Sequence, residues 1–312
     1  TMYLPVPSTK SVLEKRVQFI KRKLDEGRDK SGQYFTSRGI RITMENMPAF
    51  AACVEEAFIR TDYIARRIGA LTNHDLRRGL ELSQKVITAP ILKVEELISA
   101  YFAKADIRIQ EQRIVQALLY GDYNKFKQDA QEYVLDLLAL ESGYLNSPLL
   151  RLSIVRLLMD KENAAADELG VYMPFEEIDH YLENMGVATR VVHAAVCELV
   201  KYRLVEPYEP IAEEISPTTR LAVTPSGHMH FEMAFNDPVY IEQMALTTAI
   251  RSEPIVRSLR TIVKRKMGVH DWTSLRREFV QYCIAEDEKL IKLPSHPDYA
   301  SQARLRAEFQ RW

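Results

Sequence analysis

The chain has 312 residues, of which 46% are hydrophobic and 27% are charged, and its formal net charge is −1. This balance excludes extensive disorder, and the near-zero charge excludes a chain-wide basic field that would attract nucleic acid or an anionic membrane. A single hydrophobic core rarely grows to this length, so the composition predicts two or three domains.

The first part of the chain is predicted to be helical. An extended, proline-containing lead at residues 1–7 looks like a segment cut from a longer protein. Apolar residues three and four apart then indicate successive helices, with a polar loop or short hairpin at 25–39. The helices are predicted over about 8–24, from 48 through 58, around 64–68, and over 76–89, 93–104, 107–120 and 123–141.

The pattern changes after Asn146-Ser147-Pro148. Three helices are predicted at 148–159, 174–182 and 189–202, followed by short strands at 204–206 and 221–224 with a polar hairpin between them. Three helices followed by a two-stranded hairpin are the winged variant of the helix-turn-helix.

The remaining residues return to helical spacing, with helices predicted at 226–235, 238–250, 254–267, 271–290 and 298–311. The sequence therefore predicts a mainly α fold in three parts. These parts are a helical bundle at 1–145, a winged helix-turn-helix domain with a short β-hairpin at 146–235, and a C-terminal helical bundle at 236–312.

Neither cysteine usage nor hydropathy indicates secretion or a membrane. Cys53, Cys197 and Cys283 are far apart and lie among apolar helical residues. We therefore expect buried free thiols rather than metal ligands. No apolar run approaches the ~18 residues of a spanning helix, and no signal peptide is evident. The sequence predicts a cytoplasmic protein without a membrane partner.

Familiar catalytic and metal motifs do not occur. The chain has no GxxxxGK[ST], GxGxxG, HExxH or GxSxG pattern, so no catalytic residue is predicted. His228 and His230 could touch one metal ion, but no Cys or carboxylate joins them at a familiar spacing. We expect surface histidines, no metal site, and no enzymatic activity from this chain alone.

Residues 71–82, Leu-Thr-Asn-His-Asp-Leu-Arg-Arg-Gly-Leu-Glu-Leu, resemble the sensor-2 motif of AAA+ ATPases. The likeness is nearest to the origin-recognition and replication-initiator branch and the related STAND ATPases, whose pattern is roughly Gly-Asp/Asn-x-Arg-Arg-Ala-Leu-Asp. It implies that Arg77 reaches from a helical lid to the γ-phosphate of ATP. His74 stands where the family has glycine. An exposed ion pair between Arg77 and Glu81 is the alternative interpretation.

Two flanking features extend the resemblance. Leu13 and Arg16 fit the Leu-x-x-Arg helix that leads into such a lid, and a predicted winged helix follows the lid. The resemblance implies that residues 1–145 are the lid-like domain and that a missing N-terminal P-loop core binds most of ATP and Mg²⁺. It also allows a homo-oligomer, and it implies no cofactor for this chain alone.

Two surfaces are candidates for binding DNA or a protein partner. The first comprises Thr189, Arg190 and His193 near the start of the third winged-domain helix, with Arg220 at the edge of its hairpin. Winged helices often lay this helix in the major groove, but the surrounding carboxylates would repel phosphate. These carboxylates include Glu206, Glu209, Glu213 and Glu214 in the hairpin.

The second surface is a basic helix face. Arg257, Arg260 and Lys264 share one face of the helix predicted at 254–267, which is either solvated or contacts nucleic acid or an acidic partner. Two functions therefore stay open. One is the regulatory region of an AAA+ or STAND ATPase, and the other is a stand-alone helical scaffold or DNA-binding module.

Overall fold

The structure is a computed structural model of the chain. It describes residues 7–25, 34–35, 41–42, 47–60, 62–105, 109–123, 125–140, 143–209, 214–264 and 268–312. The predictions for residues 1–6, for most of the polar stretch at 25–39, for Glu213 and for residues 265–267 fall outside these ranges.

The described residues are mainly α-helical, which confirms the predicted fold class. They form two compact units, Thr1–Tyr133 and Val134–Trp312. The division at 145 and 235 stays a prediction, and the contacts assign residues 134–145 to the second unit. The first unit contains α1 (Thr9–Asp25), β1 (Tyr34–Phe35), β2 (Arg41–Ile42), α2 (Met47–Phe58), α3 (Asp62–Leu71), α4 (Leu76–Ile87), α5 (Val94–Phe102) and α6 (Glu111–Tyr120).

The first unit is held together by the apolar faces of its helices. Leu13 and Val17 of α1 are buried, as are Ile64 and Ile68 of α3, in agreement with their helical spacing. The short strands β1 and β2 pair antiparallel. Strand β1 lies in the stretch at 25–39 predicted as a loop or short hairpin, and β2 follows that stretch. The helix that carries Arg77, α4, packs against α1.

The helix predicted at 123–141 is wrong. The described residues there form a 3-10 turn at Gln128–Ala130 and irregular chain that is buried from Tyr133 to Leu138. The side-chain amide of Gln131 donates to the carbonyls of Leu118 and Leu119 at the end of α6, at 3.0 Å each. Side-chain hydrogen bonds to the backbone compete with a helix, and apolar spacing does not reveal them.

Within the second unit, three helices and a small sheet follow in the predicted order. Its elements are α7 (Leu150–Ala164), β3 (Met173–Pro174), α8 (Phe175–Glu183), α9 (Thr189–Lys201), β4 (Val205–Pro207) and β5 (Arg220–Val223). The strands form an antiparallel sheet in the order β3-β5-β4, with Met173 opposite Leu221 and Val205 opposite Val223. Strand β3 was not predicted, because two residues are too short to show an alternating pattern.

Five described helices follow, and the first two begin at side-chain caps. They are α10 (Pro225–Asn236), α11 (Pro238–Thr247), α12 (Glu253–Val263), α13 (Val269–Leu290) and α14 (Ala300–Phe309). The hydroxyl of Thr224 accepts from the Gly227 amide, and the carboxylate of Asp237 accepts from the first amides of α11. Proline follows each cap at the first helical position, where no amide hydrogen is needed.

A buried segment at Val134–Leu138, which we call the strap, opens the second unit. Nε2 of His230 accepts from the Leu135 amide at 3.0 Å. The hydroxyl of Tyr240 donates to the Leu135 carbonyl at 2.7 Å and accepts from the Leu137 amide at 3.0 Å. Asp136 accepts from the Thr248 hydroxyl at 2.7 Å. The bonds to His230 and Tyr240 satisfy strap backbone groups that have no helical or sheet partner.

Two strap contacts predict opposite pH dependences. Burial raises the pKa of Asp136 from 3.8 to about 6, so its stabilisation is complete below pH 3.8 and is lost as the pH rises through 6. Burial lowers the pKa of His230 from 6.5 to about 4, so its stabilisation is present above pH 6.5 and is lost as the pH falls through 4.

We expect Asp136→Asn and His230→Gln to change the pH profile of the unfolding free energy in opposite directions. Relative to wild type, Asp136→Asn should gain about 3 kcal/mol as the pH rises from 4 to 7. His230→Gln should gain a similar amount as the pH falls over the same interval. Urea unfolding at each pH measures both differences, and parallel profiles for the three proteins would contradict the assignment.

Candidate functional site

The turn before α4 has a backbone that few residues adopt. The amide of His74 donates to the Gly69 carbonyl at 2.8 Å and that of Asn73 donates to the Ala70 carbonyl at 2.9 Å, which ends α3 in a Schellman motif. Asn73 and His74 have φ values of 51° and 58°. The left-handed region favours glycine, so His74 occupies a conformation that glycine adopts more readily.

Asp75 caps α4 and sets the direction of its first turn. Its carboxylate accepts from the amides of Arg77 and Arg78 at 2.9 Å and 3.1 Å. This is the bonding expected of an N-cap aspartate, and it confirms the helix start predicted at about Leu76. Arg77 and Arg78 are therefore fixed at the amino-terminal end of α4.

The chain enters the first unit beside this turn. A Cβ atom at Gly69 would lie 2.8 Å from Oγ1 of Thr9 and 3.3 Å from Nδ1 of His74. A Cβ atom at Gly79 would lie 4.0 Å from the Thr9 side chain. Gly69 thus lets Thr9, the first residue of α1, pack closely on α3. Arg77 lies at the end of the unit where the chain begins α1.

The two arginines of the turn have different environments. The Arg77 side chain is 89% exposed, and its Nε donates to Glu81 at 3.1 Å within the same helix. The Arg78 guanidinium is half-buried and lies 5.0 Å from the ring centre of Tyr133. Arg78 is therefore held by packing, whereas Arg77 can leave its exposed ion pair at a small energetic cost.

Glu81 also approaches the end of the first unit. The hydroxyl of Tyr133 lies 3.5 Å from Oε2 of Glu81, and burial raises the pKa of Tyr133 to about 12. Tyr133 immediately precedes the strap. The carboxylate that pairs with Arg77 is thus also a neighbour of the residue that leads into the second unit.

The structure divides the residues predicted at the start of α9. Thr189 and Arg190 are exposed, and Arg190 lies 5.7 Å from the ring centre of Tyr144. The His193 side chain is half-buried. Its Nε2 lies 3.3 Å from the Ile215 carbonyl in the hairpin. His193 therefore positions the hairpin against α9, a contact that helical spacing alone does not indicate.

Arg220 is engaged within the hairpin. Its guanidinium donates to Glu209 at 2.9 Å and lies 4.1 Å from the ring centre of Tyr208. Glu206 and Glu214 are exposed on the same part of the domain, as are Glu176 and Glu177 of α8. Arg220 is thus partly neutralised, and the winged surface presents several carboxylates that disfavour phosphate.

The basic face of α12 also separates into two parts. Arg257 donates to Glu253 one turn earlier and is 74% exposed. Arg260 and Lys264 instead border a groove beside the end of α11. The predicted face is exposed, but its three cations have different neighbours.

The histidines and cysteines require two corrections. His228 pairs with Glu162 at 2.7 Å, whereas His230 is buried in the strap contact, so the expectation of two surface histidines is wrong for His230. Cys53 and Cys283 are buried free thiols as predicted, while Cys197 is only half-buried. Within the described ranges, no group of three or more His, Cys, Asp and Glu could hold a metal ion.

Among the residues that the structure describes, no helix is long and apolar enough to cross a membrane.

Comparison of the chain with family models, with curated proteins and with solved structures found no match. The functional assignment therefore depends on the residues of the chain and on their geometry.

Proposed function

We propose that this chain is the regulatory C-terminal region of an ATPase of the AAA+ or STAND type. The first unit acts as the lid, and Arg77 senses the terminal phosphate of ATP. A P-loop core that precedes this chain binds most of the nucleotide and Mg²⁺. The second unit passes the change in nucleotide state to a partner. The observation that carries the proposal is the exposed Arg77 guanidinium on the capped first turn of α4.

Three features of this turn support the assignment. The positive φ of His74 suits the glycine of the family pattern. Arg78 packs on Tyr133, which leaves Arg77 as the arginine able to reach a ligand. The start of α1 packs beside the same turn, so a core attached ahead of α1 would lie near Arg77. A guanidinium on a movable helix can then report whether the γ-phosphate is present.

The same residues offer a route from the lid to the second unit. When Arg77 turns toward phosphate, Glu81 loses its ion-pair partner and is left beside Tyr133. Tyr133 leads directly into the strap, which His230 and Tyr240 hold by its backbone. A change at α4 would thus act on the segment that begins the second unit.

The decisive experiment measures ATP turnover in a protein that joins this chain to the sequence preceding it. We expect Arg77→Ala to lower turnover by about tenfold or more, since cationic groups at the transferred phosphate act on the transition state. Arg78→Ala is the matched control, because it removes a neighbouring arginine that is engaged with Tyr133. Arg78→Ala should leave turnover near wild type. Unchanged turnover in Arg77→Ala would remove Arg77 from the site.

A second candidate function is a stand-alone helical scaffold or DNA-binding module. The exposed Thr189 and Arg190 at the start of α9 favour it, because that position enters the major groove in helix-turn-helix proteins. The carboxylates of α8 and the hairpin instead favour a protein partner. A salt-dependent DNA affinity that falls in Arg190→Ala, together with no P-loop upstream of the chain, would favour this alternative.

A further inference from the structure

An apolar groove of about 590 Å³ lies between the end of α11 and one face of α12. Leu259 of α12 and Ala245 of α11 are buried beneath it, while Leu246 and Val263 are each 41% exposed. The complete lining is Ala245, Leu246, Thr248, Ile250, Val256, Leu259, Arg260, Val263 and Lys264. The groove therefore exposes a contiguous apolar floor to solvent.

The charge of the groove is entirely positive. Arg260 and Lys264 border it, and none of its lining residues is acidic. Neither cation forms an ion pair within the described part of the chain. Arg257, one turn before Arg260, is paired with Glu253 and does not line the groove. The two cations can therefore pair with carboxylates that come from outside.

A further exposed apolar residue lies near the end of the groove at Ile250. Arg251 follows Ile250 of the groove and donates to the carbonyls of Asn146 and Tyr144 at 2.6 Å and 3.1 Å. These bonds hold the loop that contains Leu145, which is 69% exposed. A segment that leaves the groove at Ile250 would meet this loop next.

We propose that the groove between α11 and α12 binds an acidic amphipathic segment of a partner protein. Apolar side chains of the segment cover Leu246 and Val263, and its carboxylates pair with Arg260 and Lys264. Laying one apolar helix face into such a groove is a common mode of peptide recognition. The occupant is recognised by a combination of apolar area and negative charge.

Other occupants fit these features less well. Nucleic acid gains most of its affinity from phosphate contacts, and two cations over an apolar floor with no aromatic residue offer few contacts and no stacking. Membrane binding requires apolar side chains that protrude into the lipid, whereas these line a concave surface. Sedimentation velocity distinguishes a second copy of this chain from a segment of a partner protein.

The test uses a fluorescein-labelled synthetic peptide with leucines at helical positions i, i+3, i+4 and i+7 and flanking glutamates. Fluorescence anisotropy should show binding to the wild-type chain that is about tenfold weaker in Arg260→Glu/Lys264→Glu. Arg257→Glu is the matched control on the same helix, and it should retain most of the affinity. A peptide with lysines in place of the glutamates should bind the doubly substituted chain better than wild type.

Three results would overturn the proposal. The first is equal loss of affinity in Arg257→Glu and in the double variant, or no binding to wild type. The second is tighter binding to a short DNA duplex or to phosphatidylserine vesicles than to the acidic peptide. The third is a dimer in sedimentation velocity that the double substitution abolishes, since a second copy would then be the occupant. No nucleotide is present, so failure here is distinct from failure of the Arg77 experiment. Far-ultraviolet circular dichroism verifies that each variant is folded.

Discussion

Gly227→Ala is expected to destabilise the second unit by about 3 kcal/mol or more, because the new methyl group has no space. A Cβ atom at this position would lie 2.7 Å from Cγ2 of Val223 and closer still to the Leu204 carbonyl oxygen. That carbonyl also accepts from the amide and hydroxyl of Thr224 at 3.0 Å and 3.1 Å. It cannot withdraw without breaking the contact that joins β4 to the start of α10.

Tryptophan fluorescence during urea unfolding measures this effect selectively, because Trp272 and Trp312 both belong to the second unit. Gly268→Ala is the matched control, since the nearest atom to a Cβ there is 3.8 Å away. The control should lower the unfolding free energy by less than about 1 kcal/mol, because alanine is a weaker N-cap residue than glycine. An unfolding midpoint of Gly227→Ala equal to that of the control would show that the sheet and α10 can separate freely.

Tyr240→Phe is expected to destabilise the second unit by about 2–4 kcal/mol, although the ring shape is unchanged. The hydroxyl is fully buried and satisfies both the Leu135 carbonyl and the Leu137 amide. Its removal leaves one acceptor and one donor of the strap buried without a partner. Each unsatisfied buried group costs about 1–3 kcal/mol.

Tryptophan fluorescence also measures this change, and hydrogen exchange locates it. The Leu137 amide should lose protection in Tyr240→Phe, whereas the Leu135 amide, which donates to His230, should lose less. Tyr181→Phe is the matched control, because the Tyr181 hydroxyl donates to the Asp298 carbonyl at a half-buried site. Equal exchange of Leu137 in wild type and Tyr240→Phe would contradict the role assigned to the hydroxyl.

The site residues show which features of the site a local sequence pattern can predict. The sequence predicted a helix start near Leu76, and the bonds from Asp75 confirm it. Nothing in the spacing of Arg77 and Arg78 indicated which arginine would be exposed. Tyr133, distant in sequence, decides this because its ring packs against the Arg78 guanidinium. Sensing of ATP by Arg77 stays a prediction until turnover is measured.

At the winged surface, local sequence patterns again did not indicate the side-chain contacts. The order of helices and strands followed from local patterns and caps, but the side-chain contacts of His193 and Arg220 did not. His193 lies against the Ile215 carbonyl, and Arg220 is paired with Glu209 across the hairpin. Each contact joins residues from different segments of the chain. Sequence periodicity does not indicate side-chain partners of this kind.

What the sequence determined by itself was the mainly helical class, most helix positions and their caps. Apolar periodicity, proline and capping side chains act within a few residues. These signals can therefore be recognised in the sequence without knowledge of tertiary contacts. The tertiary structure alone decided that residues 125–140 would not be helical, that His230 would be buried, and that Arg260 and Lys264 would border a groove. In each of these cases the deciding interaction comes from a distant element, as with Tyr240, whose hydroxyl binds the strap backbone more than a hundred residues away.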